Sequence, residues 1–138
     1  MMEDVSRLLK SGKEVVLSVS GKSMLPFVKD DDRVELSAVD SYNIGDVVLA
    51  RTVDGMYVIH RIIRVHEEFV ILMGDGNLCQ QETCKYVDLV AKVKVVIKAN
   101  GRRIRLGGKK YLIVGKIWVK LLPCRRWLLA IYRLFYED

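Results

Sequence analysis

The 138-residue sequence predicts a mainly β domain that opens with a short helix and closes with an amphipathic one. Three observations carry this. Between residues 15 and 106, apolar and β-branched residues recur in short runs, the pattern of strands with a buried face. Asp54-Gly55 and Asn100-Gly101 separate pairs of such runs, and both dipeptides are strong hairpin signals. After Gly107-Gly108 the apolar spacing lengthens to that of a helix.

The elements follow in order. Val5, Leu8 and Leu9 sit at helical spacing, so residues 3–11 are expected to be helical, with Gly12 able to end the helix. Strands are then expected from Val15 to Val19, Arg33 to Leu36, Asp46 to Thr52, Met56 to Val65 and Phe69 to Met73. A β-rich run from Val87 to Ala99 turns at Asn100-Gly101 and returns over Arg102 to Leu106. Two units are expected: a β domain over residues 1–108 and a basic amphipathic segment over 109–138. In the latter, at 100° per residue, Trp127, Leu128, Ile131, Leu134 and Phe135 form one stripe of a helix over 124–136, opposite Arg125, Arg126 and Arg133.

Composition bounds the function. Hydrophobic residues make up 51% of the chain and there are only two prolines, so a folded domain is expected rather than a disordered segment. Of the net charge of +6, residues 109–138 supply five, with seven Lys and Arg against Glu137 and Asp138. The basic character therefore belongs to what the tail touches. Three cysteines give no disulfide framework, and Cys79 and Cys84 lack a second ligand pair, so neither a metal nor another cofactor is expected. Nucleic acid is not an expected partner either, because the basic residues lie on a hydrophobic helix and not beside aromatic stacking platforms on a sheet.

Two segments carry chemistry. Residues 20–27 read Ser-Gly-Lys-Ser-Met-Leu-Pro-Phe, and residues 57–64 read Tyr-Val-Ile-His-Arg-Ile-Ile-Arg. A serine hydroxyl is a weak nucleophile unless a neighbouring base takes its proton. Alternation along the second segment sets His60 on the same face as Val58 and Ile62, so its imidazole should point into the domain or its cleft. His66, beside Glu67 and Glu68, reads as a solvated loop residue, and Lys22, next to Ser23 on a strand, points away from it.

The order of Gly21-x-Ser23-Met24-x-Pro26, Asp32-x-Val34, Gly45-Asp46-Val47-Val48, His60-Arg61-Ile62-Ile63 and Gly74-Asp75-Gly76-Asn77 resembles the signal peptidase and self-cleaving repressor superfamily of serine peptidases. Bacterial leader peptidases and the repressors carry Lys where His60 stands; the archaeal and endoplasmic-reticulum type carries His, which this chain resembles. The resemblance implies coiled antiparallel sheets of the signal-peptidase type. It implies a serine endopeptidase that acts on an extended segment of a peptide or protein precursor, with Ser23 as nucleophile and His60 as general base. The substrate would add as a strand beside Ser20, Gly21, Lys22 and Met24, and small residues are expected next to the cut.

A carboxylate that orients the imidazole would complete the site. Asp75 matches the acid of the family's Gly-Asp-Asn-Asn stretch. The later acidic position falls on Gln81, with Glu82 one residue away, so Asp75, Glu82 or a plain dyad all remain open. The Ser23 backbone N–H is the expected oxyanion donor. A different class of reading, a non-catalytic peptide-binding or maturation-partner module of the same fold, also fits the residues.

No apolar run reaches the ~18 uncharged residues that cross a bilayer, and the N-terminus lacks the apolar stretch of a signal peptide. The chain is expected in the cytoplasm or peripherally on a membrane, with residues 111–136 resting on an anionic surface. The residues give no indication of oligomeric state.

Overall fold

A computed structural model describes residues 2–19, 24, 27–75, 80–106, 109–120 and 130. Helix α1, Met2–Lys10, buries Val5 and Leu9, one turn apart, and leaves Leu8 exposed. It ends in a Schellman arrangement: Lys13 N–H donates to the Leu8 carbonyl at 3.2 Å and Gly12 N–H to that of Leu9 at 3.1 Å.

Eight antiparallel strands follow in one sheet. They are β1 (Val15–Ser18), β2 (Arg33–Ser37), β3 (Val47–Arg51), β4 (Tyr57–Val65), β5 (Phe69–Met73), β6 (Glu82–Lys85), β7 (Leu89–Ile97) and β8 (Arg103–Arg105). The order across the sheet is β1-β2-β7-β3-β4-β5-β6, with β8 also on β7. Both anticipated hairpins form. Gly55 at φ 84° and Gly101 at φ 89° supply the left-handed backbone that the β3–β4 and β7–β8 turns require. The mainly β class is as the sequence predicts, and the strands anticipated from Phe69 to Met73 and over most of 56–65 are in place. Strand β6 was not anticipated. Its four residues bury only Cys84 and show too little alternation to stand out.

The sheet is coiled enough to bury both its faces along β3. Val47 and Leu49 join Leu36, Val93, Val96 and the helix residues Val5 and Leu9 in one cluster. Val48 and Ala50 join Ile62, Val70, Leu72 and Cys84 in a second. On β4, Ile62 and Ile63 are both buried, and the β4–β5 register shifts by one between Ile62 and Arg64 to allow it.

Helix α2, Lys109–Lys120, begins where the β unit was expected to end. The helix anticipated over 124–136 lies outside the described residues apart from Ala130. No described helix is long and apolar enough to cross a membrane.

Candidate active site

His60 lies at the middle of β4, opposite Val48 on β3. Its neighbours on the same face, Val58 and Ile62, pack in the second cluster, so the alternation that aims the imidazole inward is realised and the residue is buried. Two strands away on the same sheet, Glu82 opens β6 opposite Leu72, and Leu72 in turn faces Ile62. This register places Glu82 diagonally across from His60, and its Oε1 accepts a hydrogen bond from His60 Nδ1. The two side chains are only 9% and 14% exposed, so little water screens the contact. The other carboxylate oxygen, Oε2, is buried and has no hydrogen-bond partner among the described residues.

The carboxylate on His60 is therefore that of Glu82 and not that of Asp75. Asp75 spends both oxygens on the next residue of β4: Arg61 Nε donates to Oδ1 at 2.8 Å and Nη2 to Oδ2 at 2.7 Å. Consecutive strand residues face opposite ways, so the carboxylate that serves Arg61 is on the wrong side of the sheet for His60. The pair is buried, and Arg61 Nη1 also donates to the Gly45 carbonyl at 2.7 Å.

Ser20, Gly21, Lys22 and Ser23 lie outside the described residues. The segment that carries them is closed at its base: Val19 N–H donates to the Asp32 carbonyl at 2.8 Å and Asp31 N–H to that of Val19 at 3.1 Å. Further along, Met24 accepts from both Phe27 and Val28 N–H at 3.0 Å, a turn that begins one residue after Ser23. The Met24 side chain, named from sequence beside the substrate, is buried, and its Sδ accepts the Asp75 N–H at 3.4 Å. Phe27 lies beneath the Arg61 guanidinium, 4.9 Å from ring centroid to Cζ. Lys98 Nζ donates to the Phe27 carbonyl at 2.7 Å and to Asp32 at 2.8 Å. The serine-bearing loop is thus fastened to Arg61 and Asp75, and Arg61 is the residue after His60.

The remaining candidates stand apart. His66 is exposed and stacks on Phe69, as a loop residue should. Cys84 is the buried residue of β6, where burial and the nearby Asp88 charge push its thiol up to about 11, the behaviour of an inert core cysteine. Cys79 lies outside the described residues. Sequence reasoning reached Glu82 only as an alternative. The signal that reached it was its place one residue after Gln81, where the resemblance sets a later acid.

A family model described as Peptidase S24-like matches residues 2–101. No curated protein matches the chain.

Proposed function

Because the chain belongs to the peptidase S24-like family, we propose that it is a serine endopeptidase in which Ser23 attacks, His60 is the general base and Glu82 orients and charge-balances the imidazole. The observation that carries this reading is the His60–Glu82 hydrogen bond in a nearly dry setting. A carboxylate on Nδ1 fixes the tautomer with the proton there and leaves Nε2 free to accept one.

In this mechanism Nε2 takes the proton of the Ser23 hydroxyl as Oγ attacks the scissile carbonyl. The imidazolium that forms is balanced by Glu82. In this buried setting the pairing of carboxylate and imidazolium is little screened by water. The gain appears only once the proton has moved, which is the differential stabilisation that catalysis requires. Nε2 then returns the proton to the departing amine, leaving an acyl ester on Ser23. Water, deprotonated by the same nitrogen, hydrolyses it. The Ser23 backbone N–H is the expected oxyanion donor.

The substrate is an extended segment of a peptide or protein precursor of the signal- or leader-peptide type. Strand β1, which leads into the serine loop, pairs with β2 alone among the described strands, so its outer edge can receive a peptide as an added strand along Val19 to Lys22. The presence of His where the repressors and bacterial leader peptidases carry Lys supports the Ser-His branch of the superfamily.

The test is cleavage of extended peptides with small residues around a candidate cut, read by mass spectrometry. Ser23→Ala and His60→Ala should lose cleavage while keeping the native thermal transition, and Lys22→Ala and His66→Ala should retain it. Full activity in Ser23→Ala would end the serine-peptidase reading. A wild-type chain that binds such peptides without cutting them would favour the non-catalytic binding module.

A further inference from the structure

The exposed apolar surface on α2 remains unexplained by the peptidase site. Ile113 and Ile117, one turn apart, are 59% and 50% exposed. Isoleucines do not gain from standing in water at i and i+4 on a surface helix. Lys116, about 60° round the helix from Ile113, and Lys120, about 60° round from Ile117, are exposed as well.

Beside this ridge, on the side of α2 that carries the two lysines, lies a groove. The groove, of about 730 Å³, separates α2 from the β3–β4 part of the sheet, with Lys116, Val119 and Lys120 on one wall and Ile44, Ile63 and Val65 on the other. Ile44 and Val65 are also exposed. The acid in this wall, Asp46, is already neutralised: Lys92 Nζ lies 3.1 Å from one oxygen, and the Asn43 N–H donates to the other at 2.8 Å. The result is an apolar strip beside Lys116 and Lys120, neither of which pairs with an acid among the described residues. The chain continues it in sequence, since residues 109–138 hold five of the six net charges together with Trp127 and Phe135.

A second exposed groove provides the contrast. It is bounded by Val53, Phe69, Thr83 and Val87, and its charged lining is Glu67 and Glu68 against the single Lys85, a net of one negative charge. Two apolar surfaces of opposite electrostatic character give the molecule a defined orientation in front of a charged plane.

We infer that the α2 face seats the protein on an anionic phospholipid surface. Ile113, Ile117, Ile44 and Val65 enter the headgroup boundary, Lys116 and Lys120 meet lipid phosphates, and the Glu67–Glu68 groove stays in water. Apolar burial and attraction to anionic lipid act together in such binding, and the electrostatic part weakens with salt. This inference stands independently of the peptidase reading.

Co-sedimentation of the full chain tests it, using vesicles of phosphatidylcholine with about a third phosphatidylserine and, in parallel, phosphatidylcholine alone. The full chain should sediment with the anionic vesicles at low salt, lose binding as salt rises and ignore the neutral ones. Lys116→Glu/Lys120→Glu should bind on the order of tenfold more weakly or worse. Ile113→Asp and Ile117→Asp should also bind less, with unchanged thermal transitions because both positions face solvent. Val87→Asp, at the 87% exposed residue of the other groove, should bind like wild type. A full chain that stays in the supernatant at low salt overturns the inference. So does equal loss on Val87→Asp. Ile117→Asp converting a dimer to a monomer with vesicle binding intact would assign the ridge to a second copy instead.

Discussion

Arg61 and Asp75 form a buried, two-pronged ion pair whose backbone end also holds Met24: while the Asp75 carboxylate grips the guanidinium, its own N–H donates to the Met24 sulfur. One relationship thus ties β4 to the residue that follows Ser23. It also explains why Asp75, although a candidate from sequence, serves the architecture around the site while Glu82 meets His60.

Breaking that pair should cost stability. Arg61→Met or Asp75→Asn leaves one buried charge without its partner, a loss of about 3–5 kcal/mol. Thermal unfolding should show a fall in Tm on the order of 10 °C or more. Replacing both by apolar residues should recover much of it, and a double-mutant cycle should report strong coupling.

Glu82→Gln should act oppositely, with little effect on Tm and a large one on turnover. Losing the negative partner of the imidazolium is expected to lower kcat by roughly 10³- to 10⁴-fold with KM little changed. Steady-state kinetics on a cleaved peptide would show it. A variant within a few-fold of wild type would leave Ser23 and His60 as a simple dyad.

Met24→Leu separates support from chemistry. The volume is nearly conserved, but the Asp75 N–H loses its acceptor, which should cost about 1–3 kcal/mol. A denaturant midpoint should fall accordingly, and kcat should fall with it because the serine loop loses an anchor. Unchanged kcat in a destabilised variant would show that the loop is held adequately by Phe27 and Lys98 alone.

Alkaline pH should destabilise the fold in a defined window. Burial pushes the Cys84 thiol from 9.0 up to about 11 and, aided by Asp46, the Tyr42 hydroxyl from 10.0 up to about 12. In both cases the unfolded chain releases its proton first. The contribution to stability is therefore complete below pH 9 and is lost progressively as pH rises through 11 and 12. Urea midpoints measured upward from pH 8 should decline, and Cys84→Val should flatten the first part of the decline.

Much of this was legible from local pattern. His60 could be placed because Val58 and Ile62 flank it in a strand that starts at Asp54-Gly55, and alternation then dictates its face. Glu82 was not assignable because β6 is short and because its approach to His60 depends on the registers of β4 with β5 and of β5 with β6, which no local pattern encodes. Asp75 drew attention through its motif position. The counter-signal was Arg61 itself: an arginine in a strand with buried neighbours needs a carboxylate on its own face, opposite to that of His60.

The late position of β7 in the chain has a consequence for biosynthesis. The β1–β2 pair flanks the serine loop, the β3–β6 meander carries His60 and Glu82, and the described strands of the two groups hydrogen-bond to one another only through β7. As the chain emerges from the ribosome, the meander can pair with itself as soon as it is made, but no described strand hydrogen-bonds the earlier pair to it until Leu89–Ile97 has been synthesised, and only side-chain contacts such as Met24 with Asp75 and Phe27 with Arg61 can join them before that. A nascent molecule therefore holds the proposed nucleophile and its base on separate pieces. The proposed site is expected to be complete only once β7 has joined the two groups, so a chain that ends before Leu89 should lack it.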